Sequence, residues 1–185
     1  MTGPIEREVK LAYASPDAAR RAILAVGATP LRVRRLQHDR LLDRQEDPLS
    51  ARQCALRIRS DGAEARVTFK GAPLPGLTKA REELETTVGE ASRLLELFER
   101  LGYRVWFEYQ KYREEFRHGA LVIALDEAPI GTYVELEGEE ADVLAMAAAL
   151  GRPPAEFVLD SYRTLFLQHR DATGTAATHM LFDEP

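Results

Sequence analysis

The 185-residue chain contains a single cysteine, Cys54. One thiol cannot form an intramolecular disulfide or a thiolate metal cluster, so nothing in the sequence requires an oxidising compartment. The four histidines lack the spacing of metal ligands and are expected at surface or turn positions. These scarcities argue against a zinc site and against a cysteine nucleophile.

Long apolar runs are also missing. No segment approaches the roughly 18 uninterrupted apolar residues of a membrane-spanning helix, and the first residues lack the pattern of a signal peptide. The net charge of −5 disfavours non-specific binding to nucleic acid or anionic lipid over a broad surface. We therefore expect a soluble, cytoplasmic protein without a nucleic-acid or membrane partner, folded as one domain over residues 1–185 with a core at about 4–170 and a tail at 171–185.

What the sequence has instead is a two-residue alternation that recurs in about eight segments. In the first segment Val9 and Leu11 share one parity, and Glu8 and Lys10 share the other. Because side chains alternate across a strand, each such segment predicts a strand with one apolar and one charged face. The second strand is predicted over 35–44, and helices are predicted over 18–26, 90–101, 139–150 and 154–170.

The charged parity of these strands carries both signs. Its bases are Lys10, Arg57, Arg59, Arg66, Lys70, Arg81, Lys111 and Arg113. Its acids are Glu6, Glu8, Asp39, Asp43, Glu83, Glu85, Asp126, Glu135 and Glu137. For any single strand these charges could simply face water. Helices need the apolar face, however, so the joint pattern favours an α+β fold in which the sheet curls around a wet, charged lumen.

Acids and bases in one lumen indicate a particular kind of ligand. A polyanion alone would be repelled by the carboxylates, so something must neutralise them. Hard divalent cations such as Mg²⁺ or Mn²⁺ prefer oxygen ligands and commonly bridge carboxylates to phosphates, while Arg and Lys bind phosphate oxygens. The pattern therefore predicts a metal-bound polyphosphate.

Lysine is rare in this chain, which has 21 arginines and only four lysines. All four, at positions 10, 70, 79 and 111, fall on the charged parity of predicted strands. We interpret their retention as a requirement for an ammonium group at those points, most clearly at Lys10, Lys70 and Lys111.

Six motifs in chain order resemble those of the CYTH superfamily, the triphosphate tunnel metalloenzymes. Glu6-Arg7-Glu8-Val9-Lys10 resembles the ExExK signature, and Arg81-Glu82-Glu83-Leu84-Glu85 resembles the RxExE strand. The other similar segments are Leu56-Arg57-Ile58-Arg59, Thr68-Phe69-Lys70-Gly71, Lys111-Tyr112-Arg113, and Asp126 followed by Glu135-Leu136-Glu137. Ser161-Tyr162 is similar to the start of the family's C-terminal structural helix.

The resemblance implies an eight-stranded antiparallel closed β-barrel, or tunnel, with helices on its outside. It also implies roles for individual residues. The candidate metal ligands are Glu6, Glu8, Asp126, Glu135 and Glu137, and the cofactor is Mg²⁺ or Mn²⁺. The candidate triphosphate ligands are Lys10, Arg57, Arg59, Lys70, Arg81, Lys111 and Arg113. The candidate catalytic residues are Glu8, Lys70, Glu83 and Glu85.

The chain departs from the family pattern at Leu41, where relatives often carry tyrosine. A substrate contact from that ring is therefore not expected here. The segment 72–77 is either a lid that excludes water on closure or a plain exposed loop.

Three functions follow from this interpretation. The first is a metal-dependent triphosphatase acting on tripolyphosphate, a nucleoside triphosphate or thiamine triphosphate. The second is a class IV adenylyl cyclase that converts ATP to cyclic AMP and pyrophosphate, for which no adenine or ribose site is identified in the sequence. The third is a non-catalytic polyphosphate or nucleotide-binding module, which would not need so many acids.

Overall fold

The computed structural model of the chain describes residues 4–183. Within them, eight antiparallel strands close into one barrel in the spatial order β1-β5-β4-β3-β2-β6-β7-β8. The strands are β1 (Ile5–Tyr13), β2 (Thr29–Asp43), β3 (Ala55–Asp61), β4 (Glu64–Lys70), β5 (Lys79–Val88), β6 (Arg104–His118), β7 (Leu121–Ala128) and β8 (Gly131–Glu137). The expected α+β fold with a closed eight-stranded barrel is confirmed.

Four α-helices lie outside the barrel within the same residues. They are α1 (Pro16–Ala25), α2 (Ala91–Arg100), α3 (Glu140–Ala149) and α4 (Tyr162–Thr173). The Ser15 hydroxyl accepts a hydrogen bond from the Ala18 N–H, which caps α1 as the Ser-Pro-Asp sequence predicts. None of the helices described at 4–183 is long and apolar enough to cross a membrane.

The apolar strand parity packs against these helices. Val9 and Leu11 of β1 are buried in one cluster with Ile23 of α1 and Val143 of α3. Because this face is taken by the helices, the opposite parity of each strand points into the barrel. The alternation seen in the sequence therefore sets which residues line the interior.

The second strand is longer than predicted and begins at Thr29. The prediction failed because residues 29–36 do not alternate cleanly, and β2 has register shifts at Pro30/Arg32 and Arg32/Arg35. This part of β2 pairs only with β6, since its pairing with β3 begins at Gln37.

Asp43 does not reach the lumen, contrary to expectation. A register shift between Leu41 and Leu42 disturbs the alternation at the end of β2. The Asp43 carboxylate instead accepts hydrogen bonds from the Leu49 and Ser50 N–H groups at 2.7 and 3.1 Å. It holds the loop that leads into a 3₁₀ turn.

The last helix begins later than predicted. Residues Pro154–Glu156 form only a 3₁₀ turn. Val158 then exchanges backbone hydrogen bonds with Lys10 at 2.9 and 3.2 Å, which holds the chain extended. The helix starts at Tyr162 after Ser161, whose hydroxyl accepts from the Thr164 N–H.

The tail beyond residue 171, in which the sequence shows little pattern, returns to the barrel. Met180 exchanges backbone hydrogen bonds with Glu108 and Gln110 of β6 at 3.0 and 2.8 Å. Met180 is 1% exposed. The tail thus pairs with the part of β6 that precedes Tyr112, where the pairing of β6 with β7 begins.

Candidate active site

The barrel encloses a cavity of about 340 Å³, within the size range of small-molecule sites. Its lining contains every base predicted for the lumen, together with six of the predicted acids. The acids that line it are Glu6, Glu8, Glu83, Glu85, Glu135 and Glu137. Lys79 lines it as well, so all four lysines of the chain face this space.

The strand register brings distant residues together. Glu8 of β1 lies directly opposite Glu137 of β8, and Lys70 of β4 lies opposite Glu83 of β5. Opposed residues on one face of an antiparallel pair have Cβ atoms about 5 Å apart. The tunnel therefore places like and unlike charges side by side.

One side of the tunnel is rich in carboxylates. Burial and the neighbouring carboxylate of Glu6 raise the pKa of Glu137 to about 7. Burial and a hydrogen bond with Glu6 raise the pKa of Glu83 to about 7 as well. A divalent cation among these oxygens would relieve the repulsion, so Glu6, Glu8 and Glu137 fit a hard metal ion.

The arrangement is not a ready-made coordination shell. Over residues 4–183, no three carboxylate, imidazole or thiol groups converge in a geometry that could hold a metal ion. The reason is visible in the contacts of Glu8, whose Oε1 lies 2.9 Å from the Lys10 ammonium and 2.6 Å from that of Lys79. To bind a metal ion, a carboxylate such as that of Glu8 would have to give up a contact with a lysine ammonium and contact the cation instead.

Asp126 fits the ligand role less well than the other predicted acids. It is completely buried and accepts four hydrogen bonds: one from Lys111 at 2.8 Å, two from Arg113 at 2.6 Å, and one from the Tyr162 hydroxyl at 2.7 Å. Glu135 also contacts Arg113. This geometry makes Asp126 an anchor for Lys111 and Arg113, two of the bases that line the cavity.

Asp39 has a similar position on β2, which is separated from the β7 strand of Asp126 only by β6. Its fully buried carboxylate lies 2.8 Å from Arg59 Nε and 3.4 Å from Arg57 Nε. Arg57 also donates to Thr68 at 3.1 Å. These contacts hold both arginines of the predicted paired-arginine strand toward the cavity.

The pKa values of two of the lysines are lowered, which favours their neutral form. Burial and the like charge of Lys10 lower the pKa of Lys79 to about 8. Burial and Arg113 lower the pKa of Lys111 to about 8. Lys10 differs, because Glu8 and Glu135 outweigh its burial and raise its pKa.

The Arg81 guanidinium has unused hydrogen-bond donors. In the part of the chain that the structure describes, it makes no ion pair, and its buried Nε has no hydrogen-bond partner. An arginine that faces a cavity with unused donors is suited to a phosphate oxygen.

Some lining residues were missed from the sequence. Tyr109 lies on the same strand parity as Lys111 and Arg113, and that parity could have identified it. Arg163 comes from α4 rather than from a strand, so alternation could not have found it. Leu41 lines the cavity but offers no polar group.

Known proteins resemble this chain in sequence and in fold. The model of the family described as CYTH domain matches residues 4–151. A candidate adenylate cyclase from Methanocaldococcus jannaschii is 29% identical over 90 residues, which are 48% of this chain and 51% of the relative. The match thus spans about half the length of this curated relative.

Solved structures share the fold. A candidate adenylate cyclase from Vibrio parahaemolyticus has a TM-score of 0.76 at 19% identity, covering 89% of this chain and 99% of that one. A Pyrococcus horikoshii protein has a TM-score of 0.72 at 26% identity, with coverages of 89% and 99%.

A third structure is a candidate adenylyl cyclase from Hippeastrum that is described as having a dominant triphosphatase activity. It has a TM-score of 0.63 at 20% identity, covering 89% of this chain and 95% of that one. Together with the family-model match over most of the chain, the closed barrel and its charged interior identify this chain as a member of the CYTH domain family.

Proposed function

We propose that the chain is a divalent-metal-dependent triphosphatase that hydrolyses the terminal phosphate of tripolyphosphate or of an organic or nucleoside triphosphate inside the tunnel. The observation that carries this proposal is the buried lining of both signs, in which bases from several strands surround a carboxylate cluster. Such burial is costly unless a ligand uses it.

The bases are proposed to bind the phosphate chain. Arg81 has unused donors, while Lys70 and Arg57 are held by carboxylates that a phosphate would replace. The remaining proposed triphosphate ligands are Lys10, Arg59, Lys111 and Arg113. Fixed donors around the phosphates stabilise the charge that develops during transfer without reorganising at that moment.

The carboxylates are proposed to hold Mg²⁺ or Mn²⁺, with Glu6, Glu8 and Glu137 as the main ligands and Glu135 beside them. A bound divalent cation would neutralise phosphate charge and make bound water more acidic. Glu83 and Glu85 would support the metal or the attacking water from β5. Asp126 would act through Lys111 and Arg113, which it orients.

The second candidate is an adenylyl cyclase. It is favoured by the names of the Methanocaldococcus and Vibrio relatives. In that reaction the ribose 3′-hydroxyl attacks the α-phosphorus of ATP and pyrophosphate leaves. The same tunnel could bind the triphosphate, but hydrolysis needs no ribose site, and the Hippeastrum neighbour is described by its triphosphatase activity.

The deciding experiment is incubation of the purified protein with tripolyphosphate, ATP or thiamine triphosphate, each with Mg²⁺ or Mn²⁺, followed by product identification. Orthophosphate release supports the triphosphatase. Cyclic AMP with pyrophosphate supports the cyclase instead. Tight binding without any product supports the non-catalytic module and overturns both enzyme assignments.

Two acidic variants test the proposed metal ligands. Glu137→Ala and Glu8→Ala should abolish turnover, because each removes an oxygen donor from the carboxylate cluster. Glu96→Ala is the matched control, since Glu96 lies on α2 with 63% of its side chain exposed. Unchanged phosphate release in both acidic variants would contradict the metal assignment.

A further inference from the structure

Glu8 is flanked by opposite charges on its two neighbouring strands. It lies directly opposite Glu137 of β8 on one side and directly opposite Lys79 of β5 on the other. Its Oε1 contacts both the Lys79 ammonium at 2.6 Å and the Lys10 ammonium at 2.9 Å. A divalent cation shared by Glu8 and Glu137 would therefore lie beside ammonium groups that already bind Glu8 and that repel the cation.

The two ammonium groups on Glu8 are not held equally. Lys10 has a second acid, since its ammonium also lies 3.5 Å from Glu135. Among residues 4–183, Lys79 has Glu8 as its only ion-pair partner. The positive charges of Lys10 and Lys70 lie near Lys79 and disfavour its charged form. Lys79 is therefore the lysine that Glu8 exchanges more easily for another cation.

A Lys79 ammonium released from Glu8 would still face the tunnel. Lys79 is the first residue of β5, and it lines the same cavity as Arg81, two residues further along the strand. Lysine binds phosphate oxygens as a compact charge. A phosphate oxygen would thus replace Glu8 as the partner of Lys79, while the cation would replace Lys79 at Glu8.

We propose that Lys79 couples metal binding to substrate binding, because it holds Glu8 until a triphosphate accepts its ammonium and frees the carboxylate for the divalent cation. Lys79 is then a competitor of the free cation and a further ligand of the bound triphosphate. The role of Lys79 rests on the proposed function, in which the same tunnel binds both a metal ion and a triphosphate.

The test measures the binding of Mn²⁺ alone and of tripolyphosphate alone to Lys79→Met, which removes the charge and keeps most of the side-chain length. Isothermal titration calorimetry of the metal-free protein should show about tenfold tighter binding of Mn²⁺, because the competing ammonium is gone. Tripolyphosphate in the presence of EDTA should bind about tenfold more weakly, as expected for the loss of one charged hydrogen bond. Lys79→Gln should give the same two changes, and it replaces Lys79→Met if that variant does not fold.

Two controls separate the Glu8 contact from the general charge of the tunnel. Lys111→Met removes an ammonium that contacts Asp126 at 2.8 Å instead of Glu8, so it should change the Mn²⁺ affinity by less than about threefold. In a Glu8→Gln background, Lys79→Met should no longer tighten the binding of Mn²⁺, because the contact between the two side chains is already lost.

Unchanged or weaker binding of Mn²⁺ in Lys79→Met would overturn the inference, and so would an equal gain in Lys111→Met. Unchanged or tighter binding of tripolyphosphate in Lys79→Met would overturn it as well, because the ammonium would then not move to a phosphate. Binding of Mn²⁺ by neither the wild type nor Lys79→Met would do the same. Turnover tests the proposed function separately: if both affinity changes appear but no triphosphate is hydrolysed, the coupling stands and the triphosphatase assignment fails.

Discussion

Lys70 lies between two carboxylates of the tunnel. Its ammonium is 2.9 Å from Glu6 and 2.5 Å from Glu83. We expect Lys70→Ala to lower kcat/KM for tripolyphosphate about 10- to 100-fold, because a charged hydrogen bond to phosphate contributes about 1.5–3 kcal/mol. Steady-state phosphate release measures this. Arg100→Ala, whose side chain is 82% exposed on α2, is the control, and a loss of less than about twofold in Lys70→Ala would argue against phosphate contact.

Tyr162 links the last helix to the tunnel. Its hydroxyl donates to Asp126 at 2.7 Å, and the Lys111 ammonium lies 4.7 Å from its ring centroid. Tyr162→Phe should lower the free energy of unfolding by about 1–2 kcal/mol, because one buried hydrogen bond is lost while Asp126 keeps its other donors.

Urea unfolding with an unchanged m-value would measure that loss. Tyr103→Phe is the matched control, since the Tyr103 hydroxyl makes no hydrogen bond among the described residues. Equal stability of the two phenylalanine variants would rule out a stabilising role for the Tyr162 hydroxyl.

At the scale of elements, alternation predicted most of the strands and failed where it was interrupted. Strand β1 could be predicted because helices cover one of its faces, so that Val9 and Leu11 on that face are apolar and alternate with charged residues. The first part of β2 is stabilised by pairing with β6, and arginines there pair with acids such as Glu115 and Glu127, a tertiary effect that no local pattern shows. Val158 likewise is held extended by Lys10, its partner across the chain.

The tail is an element that local pattern could not predict. Met180 packs with Phe107 and Phe166, while its neighbour Leu181 is 39% exposed. Met180→Ala should cost about 2–4 kcal/mol of stability through the cavity it leaves. Leu181→Ala should change stability by less than about 0.5 kcal/mol. Chemical denaturation of the two variants tests this contrast, and similar small losses in both would show that the tail is dispensable.

At the scale of the whole molecule, the sequence predicted a charged lumen because almost every strand carries ionisable groups on one parity. It could not predict that the buried carboxylates of Asp39 and Asp126 contact the basic side chains instead of lining the cavity, because these contacts depend on cross-strand register. It also could not predict Arg163, which enters from a helix. Buried charges of this kind usually cost stability compared with apolar packing, so the lumen is better explained by ligand binding than by folding.

Ligand binding should therefore stabilise the whole barrel. A ligand that binds only the native state adds about 2.7 kcal/mol at a concentration 100 times its dissociation constant, and each kcal/mol raises Tm by about 2–4 °C for a chain of this size. Mg²⁺ together with tripolyphosphate should raise Tm by about 5–10 °C, and by more than the two separate shifts combined, because the cation offsets repulsion between phosphates and carboxylates. In Glu137→Gln, tripolyphosphate alone should still stabilise the protein, whereas the increment from Mg²⁺ should largely disappear. Differential scanning calorimetry measures these shifts, and a full Mg²⁺ increment in Glu137→Gln would remove Glu137 from the metal site.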